Sequence, residues 1–170
     1  TPGLTPDQIE STLKSTARAF PAACSGCGTG IVNATAALGG TTPPPPPPSG
    51  SNEVEPNNTT GAANSVTVSG TLVNGNMGSS TDTDYFVVQL PAGRTLSSTL
   101  TMGSSSADYD LVVYNSSGAQ IGISENPAGQ TDGVAVTNTG TSTFARYVRV
   151  VYYSGGTGAT SGKYTLKLTW

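Results

Sequence analysis

The chain has 170 residues, 35% of them hydrophobic and only 10% charged, which is enough apolar surface for one ordinary core in one or two domains. Its 7 basic and 10 acidic residues give a net charge of −3, and the lack of a basic cluster argues against nucleic acid as a partner. No apolar run approaches the roughly 18 residues that cross a bilayer, so no membrane span is predicted.

Residues 4–20 carry the signature of an amphipathic helix. Thr5 can cap it, Pro6 takes its first position and Gln8 completes a capping box. Apolar residues follow at three- and four-residue spacing and form one stripe: Ile9, Leu13, Ala17 and Phe20. Residues 31–38 offer a second short apolar segment. Two such pieces cannot close a core, so residues 1–40 are predicted to be the end of a larger domain.

Between these segments lies a Cys-x-x-Cys element, Cys24 and Cys27. A thioredoxin-like site needs this motif at a strand-to-helix junction, whereas here it follows a helix. A zinc site needs four ligands, and the chain has two cysteines and no histidine. In an extracellular setting a local disulfide between Cys24 and Cys27 is favoured, and free thiols are the alternative.

Residues 41–51 are predicted to be a linker. Its centre is an unbroken proline run, Pro43 to Pro48, which favours an extended polyproline spacer of roughly 19 Å at ~3.1 Å per residue. The spacer should separate residues 1–40 from a second body, residues 52–170.

Residues 52–170 alternate short β-branched or aromatic segments with Gly, Asn, Ser and Asp turns, which is typical of a sandwich. No segment between them is long enough for a helical crossover, so the sheets are predicted to be antiparallel throughout. Lys-poor strands rich in Thr, Ser, Gly and Tyr favour a secreted, extracellular domain. About eight strands are predicted, centred on residues 66–72, 85–90, 95–102, 111–114, 120–124, 134–137, 147–153 and 164–169.

Catalysis is not expected of this chain. It has no histidine, which removes the usual general base of a serine or cysteine hydrolase. Two Asp-x-Asp pairs remain, Asp82 with Asp84 and Asp108 with Asp110. In a strand both members of a pair share one side, so each pair either gathers a cation or consists of solvated carboxylates that cap turns.

Two motifs near the N-terminus carry a family resemblance. LTPDQIE at residues 4–10 and CSGCGTGIVNATAA at residues 24–37 resemble the closing segment of secreted bacterial subtilisin-like serine peptidases. In that family the segment packs on the catalytic domain after the helix that bears the nucleophilic serine. The serine motif and the catalytic aspartate and histidine of the family are absent here, so no catalytic role is carried onto this chain.

A second resemblance covers residues 52–170. It is carried by NEVEPNN at 52–58, DTDYF at 82–86, PAG at 91–93, DYDLVVYNSSG at 108–118, YVRV at 147–150 and GKYTL at 162–166. These motifs resemble the bacterial pre-peptidase C-terminal domain, a β-sandwich of jelly-roll kind appended to secreted proteases. The resemblance implies a secreted, non-catalytic accessory domain with a protease catalytic domain as its partner in cis.

Collagen-binding relatives of that domain bind calcium through side chains near its start and before an early strand. The matching residues here are Glu53, Glu55, Asn57 and Asn58 in the first set and Asp82 and Asp84 in the second. Calcium takes about 6 to 8 oxygen ligands, which carboxylates and amides supply. A calcium site is therefore one hypothesis, and the other is that Glu53 and Glu55 are solvated charges while Asp84 caps a turn.

Two functions remain open at this point. The first is an accessory domain that assists export and maturation or binds a fibrous protein substrate, collagen- or keratin-like. Its candidate binding surface is Tyr147, Arg149 and Tyr153, which share one face of a strand by period-two alternation; burial of a tyrosine in the core is the competing interpretation. The second is a fragment that completes a subtilisin-like endopeptidase whose catalytic residues lie upstream or on another chain.

Overall fold

The computed structural model describes residues 5–18, 30–37 and 50–170. The chain divides into two compact units between Pro46 and Pro47. The predicted disulfide of Cys24 and Cys27 and the predicted polyproline conformation of residues 43–48 lie outside the described residues.

In the first unit, α1 spans Pro6–Ser15 and α2 spans Ala34–Ala37. The capping box is confirmed: Thr5 Oγ1 accepts from Gln8 N at 3.3 Å, and Gln8 Oε1 accepts from Thr5 N at 2.9 Å. The helix ends earlier than predicted because Arg18 exchanges backbone hydrogen bonds with Ile31, at 3.0 and 2.9 Å. The apolar spacing of residues 4–20 gives no indication of this pairing with Ile31.

The described residues cover the apolar stripe of α1 only in part, since Leu13 and Ala17 are half-buried. No residue of the helix is buried, and Ile9 is 46% exposed. No helix among the described residues has the length and apolarity that a membrane span requires.

In the second unit, ten strands and one short helix are described. They are β1 Ser51–Asn52, β2 Asn64–Ser65, β3 Thr71–Asn76, β4 Thr83–Leu90, β5 Thr95–Met102, β6 Asp108–Asn115, β7 Gln120–Ser124, β8 Asp132–Thr137, β9 Phe144–Ser154, α3 Gly158–Ser161 and β10 Lys163–Thr169.

The strands form two five-stranded sheets. The first sheet has the order β1-β3-β10-β5-β8, and the second has the order β2-β4-β9-β6-β7. Fully buried side chains from both sheets make one core, with alternate residues of each strand pointing inward: Phe86, Val88, Leu90, Leu96, Leu100, Leu111, Val113, Val148, Val150, Leu166 and Leu168. The all-β sandwich is therefore confirmed.

The prediction that every strand pairs antiparallel was wrong for the first two strands. β1 pairs parallel with β3, and β2 pairs parallel with β4. The chain runs from β1 to β2 to β3 to β4 and changes sheet at each step. A strand of the opposite sheet therefore makes the crossover that parallel pairing requires, and no helix is needed for it.

The first predicted strand, residues 66–72, was also wrong in its placement. The chain turns at Gly70, whose φ of 88° is in the left-handed region that glycine adopts without strain. Thr71 Oγ1 donates to Val68 O at 2.7 Å and closes this turn. β2 therefore ends at Ser65, before this turn, and β3 begins at Thr71, after it. The other seven strand centres lie within β4 to β10.

We expect Leu166→Ala to lower the free energy of unfolding by about 2–5 kcal/mol, because it opens a cavity under the fully buried centre of β10. Leu72→Ala is the matched control: that side chain is 41% exposed, and its loss should change stability by about 0.5 kcal/mol or less. Denaturant unfolding followed by fluorescence of the single tryptophan, Trp170, which packs against the core, measures both. Equal losses for the two variants would contradict the assigned core.

Candidate metal centre

Residues 51–58, here called the lead-in segment, start on the edge strand of the first sheet and continue to the second sheet, where Tyr85 N donates to Asn57 O at 3.0 Å. β1 pairs with β3, and Glu53 N donates to a β3 carbonyl at 3.0 Å. The side chain of Asn64 then holds Val54 on both sides: Oδ1 accepts from Val54 N at 2.7 Å, and Nδ2 donates to Val54 O at 2.9 Å. These hydrogen bonds fix the backbone next to Glu53 and Glu55 and thereby limit the positions that their carboxylates can take.

Asp82 and Asp84 come from the start of β4. Asp84 continues the inward-facing row of that strand and is fully buried. Asp82 lies in the preceding turn, where its carboxylate accepts from Gly78 N at 2.6 Å and from Thr83 N at 2.9 Å. The two side chains share one side of the chain, as period-two alternation predicts.

Three carboxylates converge where the lead-in segment meets β4. Glu55, Asp82 and Asp84 each contribute one oxygen, and these oxygens lie within 4.8 Å of one another. Among the described residues no lysine or arginine forms an ion pair with any of the three. Like charges held this close repel one another, and a divalent cation would offset that repulsion with ligands of the type calcium prefers.

The amides of Asn57 and Asn58 line the same place. One polar atom of the Asn57 amide lies 3.2 Å from Glu55 Oε2 and 3.0 Å from Asp84 Oδ1. One polar atom of the Asn58 amide lies 3.2 Å from Asp82 Oδ1 and 3.0 Å from a backbone carbonyl. With nitrogen in these positions the amides donate to the acceptors; with oxygen there, a proton on a carboxyl group or a cation between the oxygens would stabilise the contacts. Each amide thus suits the cation-free cluster with its nitrogen toward the acceptors. After rotation by 180° it would present its oxygen to a bound cation.

Tyr164 reaches the cluster from β10. Its hydroxyl lies 2.6 Å from Asp84 Oδ2 and 2.8 Å from Glu53 Oε2. A phenol has one proton, so it donates to one carboxylate, and the other contact requires a proton on the second carboxyl group. The ring fits because its partner across the strands is Gly75; a β-carbon there would lie 2.0 Å from the ring.

The electrostatics of the cluster favour protonation when no cation is bound. Burial raises the pKa of Asp84 to about 8, and the hydrogen bond from Tyr164 opposes this only in part. Burial also raises the pKa of Glu53. Burial and the two carboxylates raise the pKa of Tyr164 well above its usual value. A proton therefore remains in this site near neutral pH unless another positive charge replaces it.

The six residues predicted as metal ligands all lie in this region, although metal binding itself stays a prediction. The carboxylates of Glu55, Asp82 and Asp84 lie together, and the amides of Asn57 and Asn58 lie beside them. Glu53 is connected to this group by the hydroxyl of Tyr164. Tyr164 was missed as part of the site. The signal for it was Gly75, since a glycine inside a strand pattern often marks the close approach of another group.

The predicted binding residues Tyr147, Arg149 and Tyr153 lie on β9. They alternate with the buried Val148 and Val150 and therefore belong to the outer face of the second sheet. Tyr153 is 69% exposed, and the other two are half-buried. Their common face is observed, while their role in binding stays a prediction.

Two more tyrosines belong to this outer face, Tyr85 of β4 and Tyr114 of β6. Their ring centres are 6.4 Å apart. The guanidinium of Arg149 lies 5.5 Å from the centre of the Tyr85 ring, and Arg149 Nε donates to Thr83 Oγ1 at 2.7 Å. The arginine is thus held in place over an aromatic surface. Sequence reasoning did not single out these rings because only the strand order places β4 and β6 on either side of β9.

Comparison with known proteins gives short or distant matches. No protein-family model matches the chain. An extracellular protease of Xanthomonas campestris pv. campestris is 67% identical over 36 residues, which are 21% of this chain and 6% of that protein. The chain thus spans only about 6% of this relative's length.

Two solved structures are similar at low identity. The pre-peptidase C-terminal domain of a collagenase from Bacillus anthracis has a TM-score of 0.47 and 13% identity, covering 63% of this chain and 92% of that one. The Aeromonas hydrophila periplasmic inhibitor of g-type lysozyme has a TM-score of 0.38 and 14% identity, covering 71% and 98%.

We expect the metal-free sandwich to lose stability as pH rises from about 4 to about 8. The folded pKa of Asp84 lies above its ordinary value of 3.8, so the folded state holds a proton that the unfolded state releases, with a slope of up to about 1.4 kcal/mol per pH unit. Asp84→Asn cannot titrate and should flatten this slope. Denaturant unfolding in chelator at several pH values measures the difference between the two proteins; an unchanged slope in the variant would refute the assignment to Asp84.

Proposed function

We propose that residues 52–170 form a calcium-stabilised, non-catalytic accessory domain of a secreted protease that holds the enzyme on protein substrate. The observation that carries the proposal is the convergence of Glu55, Asp82 and Asp84 on one point without a basic partner among the described residues. The chain also lacks histidine, so a serine-type triad has no base within it.

Calcium suits this cluster better than a smaller ion does. Three carboxylates and two amides offer at least five oxygens, and calcium accepts 6 to 8 at flexible geometry, whereas magnesium demands a near-ideal octahedron. Asn58 stands where a carboxylate would add charge, so the affinity should be moderate. A bound ion would replace the proton held by Asp84 and join the lead-in segment to β4.

We expect calcium to raise the melting temperature of the sandwich and chelation to reverse this. At a free concentration 100 times the Kd, a ligand bound only by the folded state adds about 2.7 kcal/mol, which is several degrees for a domain of this size. Glu55→Gln removes one ligand charge at nearly constant shape and should weaken the response.

Glu125→Gln, the same change in a different acidic group, is the matched control and should leave the response intact. Calorimetry with calcium and with chelator tests all three proteins. Superimposed curves for the unmodified chain would exclude a site of useful affinity, and an equal loss in both variants would exclude the assigned ligands.

The accessory role is supported by several independent features. The motifs of residues 52–166 resemble the pre-peptidase C-terminal domain, and the strands are poor in lysine, as in many secreted domains. The 36-residue match belongs to a protein described as an extracellular protease. We propose secretion on these grounds, with assistance to export and maturation as the alternative to substrate binding.

The partner in cis is proposed to be a subtilisin-like catalytic domain to which residues 1–40 belong. No residue of α1 is buried, and an apolar cleft of about 420 Å³ runs along the helix, lined in part by Ile9, Leu13, Ala17 and Val32. Such a face requires a covering surface. The same observation favours the second candidate, a fragment that completes a peptidase whose catalytic residues lie upstream or on another chain.

Substrate binding is proposed for the outer face of the second sheet, which carries Tyr147, Arg149 and Tyr153 between further tyrosines. Aromatic and arginine side chains are favoured anchors for protein partners. Collagen- or keratin-like fibres are the proposed substrate class, since an extended sheet face suits an extended polypeptide.

We expect Tyr153→Ala to weaken pull-down by insoluble collagen or keratin several-fold without altering the melting curve, because the ring is 69% exposed. Leu72→Ala, an exposed apolar truncation on the other sheet, should bind like the unmodified chain. Full fibre binding by the tyrosine variant would show that Tyr153 does not contribute to the binding surface. No binding by the unmodified chain would favour the export role.

A further inference from the structure

The acidic residues of the sandwich fall into two groups. Eight of the ten acidic residues lie in residues 50–170. Four of them belong to the candidate metal centre. The remaining four are Asp108, Asp110, Glu125 and Asp132, and they come from β6, the end of β7 and the start of β8.

Three of these carboxylates line an open cleft, here called the acidic cleft. Its volume is about 440 Å³, and its lining residues are Asp108, Asp110, Glu125, Asn126, Pro127 and Tyr153. Tyr153 places an exposed aromatic ring beside the carboxylates. The cleft therefore adjoins the outer face of the second sheet, to which Tyr153 also belongs.

The fourth carboxylate, Asp132, lies behind the wall of the cleft and is fully buried. Its Oδ1 accepts from Asn126 N at 2.9 Å and from Ser124 Oγ at 2.6 Å. Its Oδ2 has no hydrogen-bond partner within the described part of the chain. A buried acceptor without a donor is unusual and costly, and its neighbour Asn126 lines the cleft.

No basic side chain of the described residues pairs with the carboxylates in or behind the acidic cleft. Burial, followed by the charges of Glu125, Asp108 and Asp132, raises the pKa of Asp110 to about 6. The four groups thus repel one another, and a cation supplied from outside would relieve that repulsion.

The geometry favours an organic cation over a metal ion. Among the described residues, the one set of three carboxylates whose oxygens lie within 4.8 Å of one another is Glu55, Asp82 and Asp84, and no residue of the acidic cleft belongs to it. A cleft of this volume with an aromatic ring at its rim fits an ammonium or guanidinium group on an aliphatic stem, which the ring and carboxylates bind together.

We propose that the acidic cleft binds the basic side chain of a lysine or arginine in a polypeptide lying on the outer face of the second sheet. The inference rests on the proposed role of that face in binding protein, and it adds a chemical preference to it. The carboxylates of the acidic cleft would hold a basic side chain of the substrate beside the Tyr153 ring, while Tyr147 and Arg149 contact the rest of the substrate polypeptide.

The test is an NMR titration of the full ¹⁵N-labelled chain with Nα-acetyl-lysine-N-methylamide. Its norleucine analogue, which has the same stem without the charge, is the matched probe. We expect saturable shifts at Asp110, Glu125 and Asn126 with the lysine probe alone. Glu125→Gln and, as a second variant, Asp110→Asn should weaken binding about threefold to fivefold, the upper part of the range for exposed ion pairs, while Glu55→Gln should not.

Equal shifts with both probes, or no shift with either, would overturn the proposal. So would calcium shifting these three amides while the lysine probe leaves them unmoved. The readouts separate the two proposals: fibre binding without lysine binding overturns only the acidic cleft, whereas lysine binding without fibre binding overturns only the substrate-binding role of the face.

Discussion

The hydrogen bond between Tyr164 and Asp84 connects the two sheets at one end of the core. Asp84 belongs to the second sheet and Tyr164 to the first, and the hydroxyl also reaches Glu53 of the lead-in segment. A carboxylate in this position cannot be both charged and unpartnered, because burial of an isolated charge is strongly unfavourable. Tyr164 supplies one hydrogen bond to it, and a proton or a bound cation would complete its stabilisation.

The path of the chain makes this connection possible. The first four strands alternate between the sheets, so the lead-in segment and the start of β4 meet although about thirty residues separate them. Tyr164 arrives from a further 80 residues along the chain. A cation at this point would join the lead-in segment to β4, while the hydrogen bond of Tyr164 attaches β10, near the end of the domain, to the same cluster. The metal centre would therefore serve stability, and a change in the lead-in segment would be felt in the core.

The charge distribution separates two kinds of surface. The acidic residues of the sandwich are gathered in two groups, while the outer face of the second sheet carries tyrosines and one fixed arginine. In a chain with only 10% charged residues, such grouping concentrates the electric field at two places and leaves the remaining surface weakly charged. One group closes around a point suited to a metal ion, and the other opens into a cleft beside Tyr153.

Local sequence was sufficient for features that depend on neighbours in the chain. Thr5 and Gln8 predicted the helix start because capping is local. Short β-branched or aromatic segments between turns predicted seven of the strands. Period-two alternation placed Tyr147, Arg149 and Tyr153 opposite the buried valines, because side chains alternate in any strand. The residues of the candidate site came instead from the family resemblance of the motifs around Glu53 and Asp84, and metal binding by them stays a prediction.

Only the tertiary structure decided features that depend on which strands become neighbours. These are the parallel pairing of β1 with β3 and of β2 with β4, the end of α1 before the Arg18–Ile31 bridge, and the place of Tyr164 between two carboxylates. Each joins segments that are distant in the chain. The same is true of Asp132 behind the acidic cleft. Alternation within a strand says which side a residue faces, but pairing between strands is set by the packing of the whole core, and that packing brings the carboxylates together.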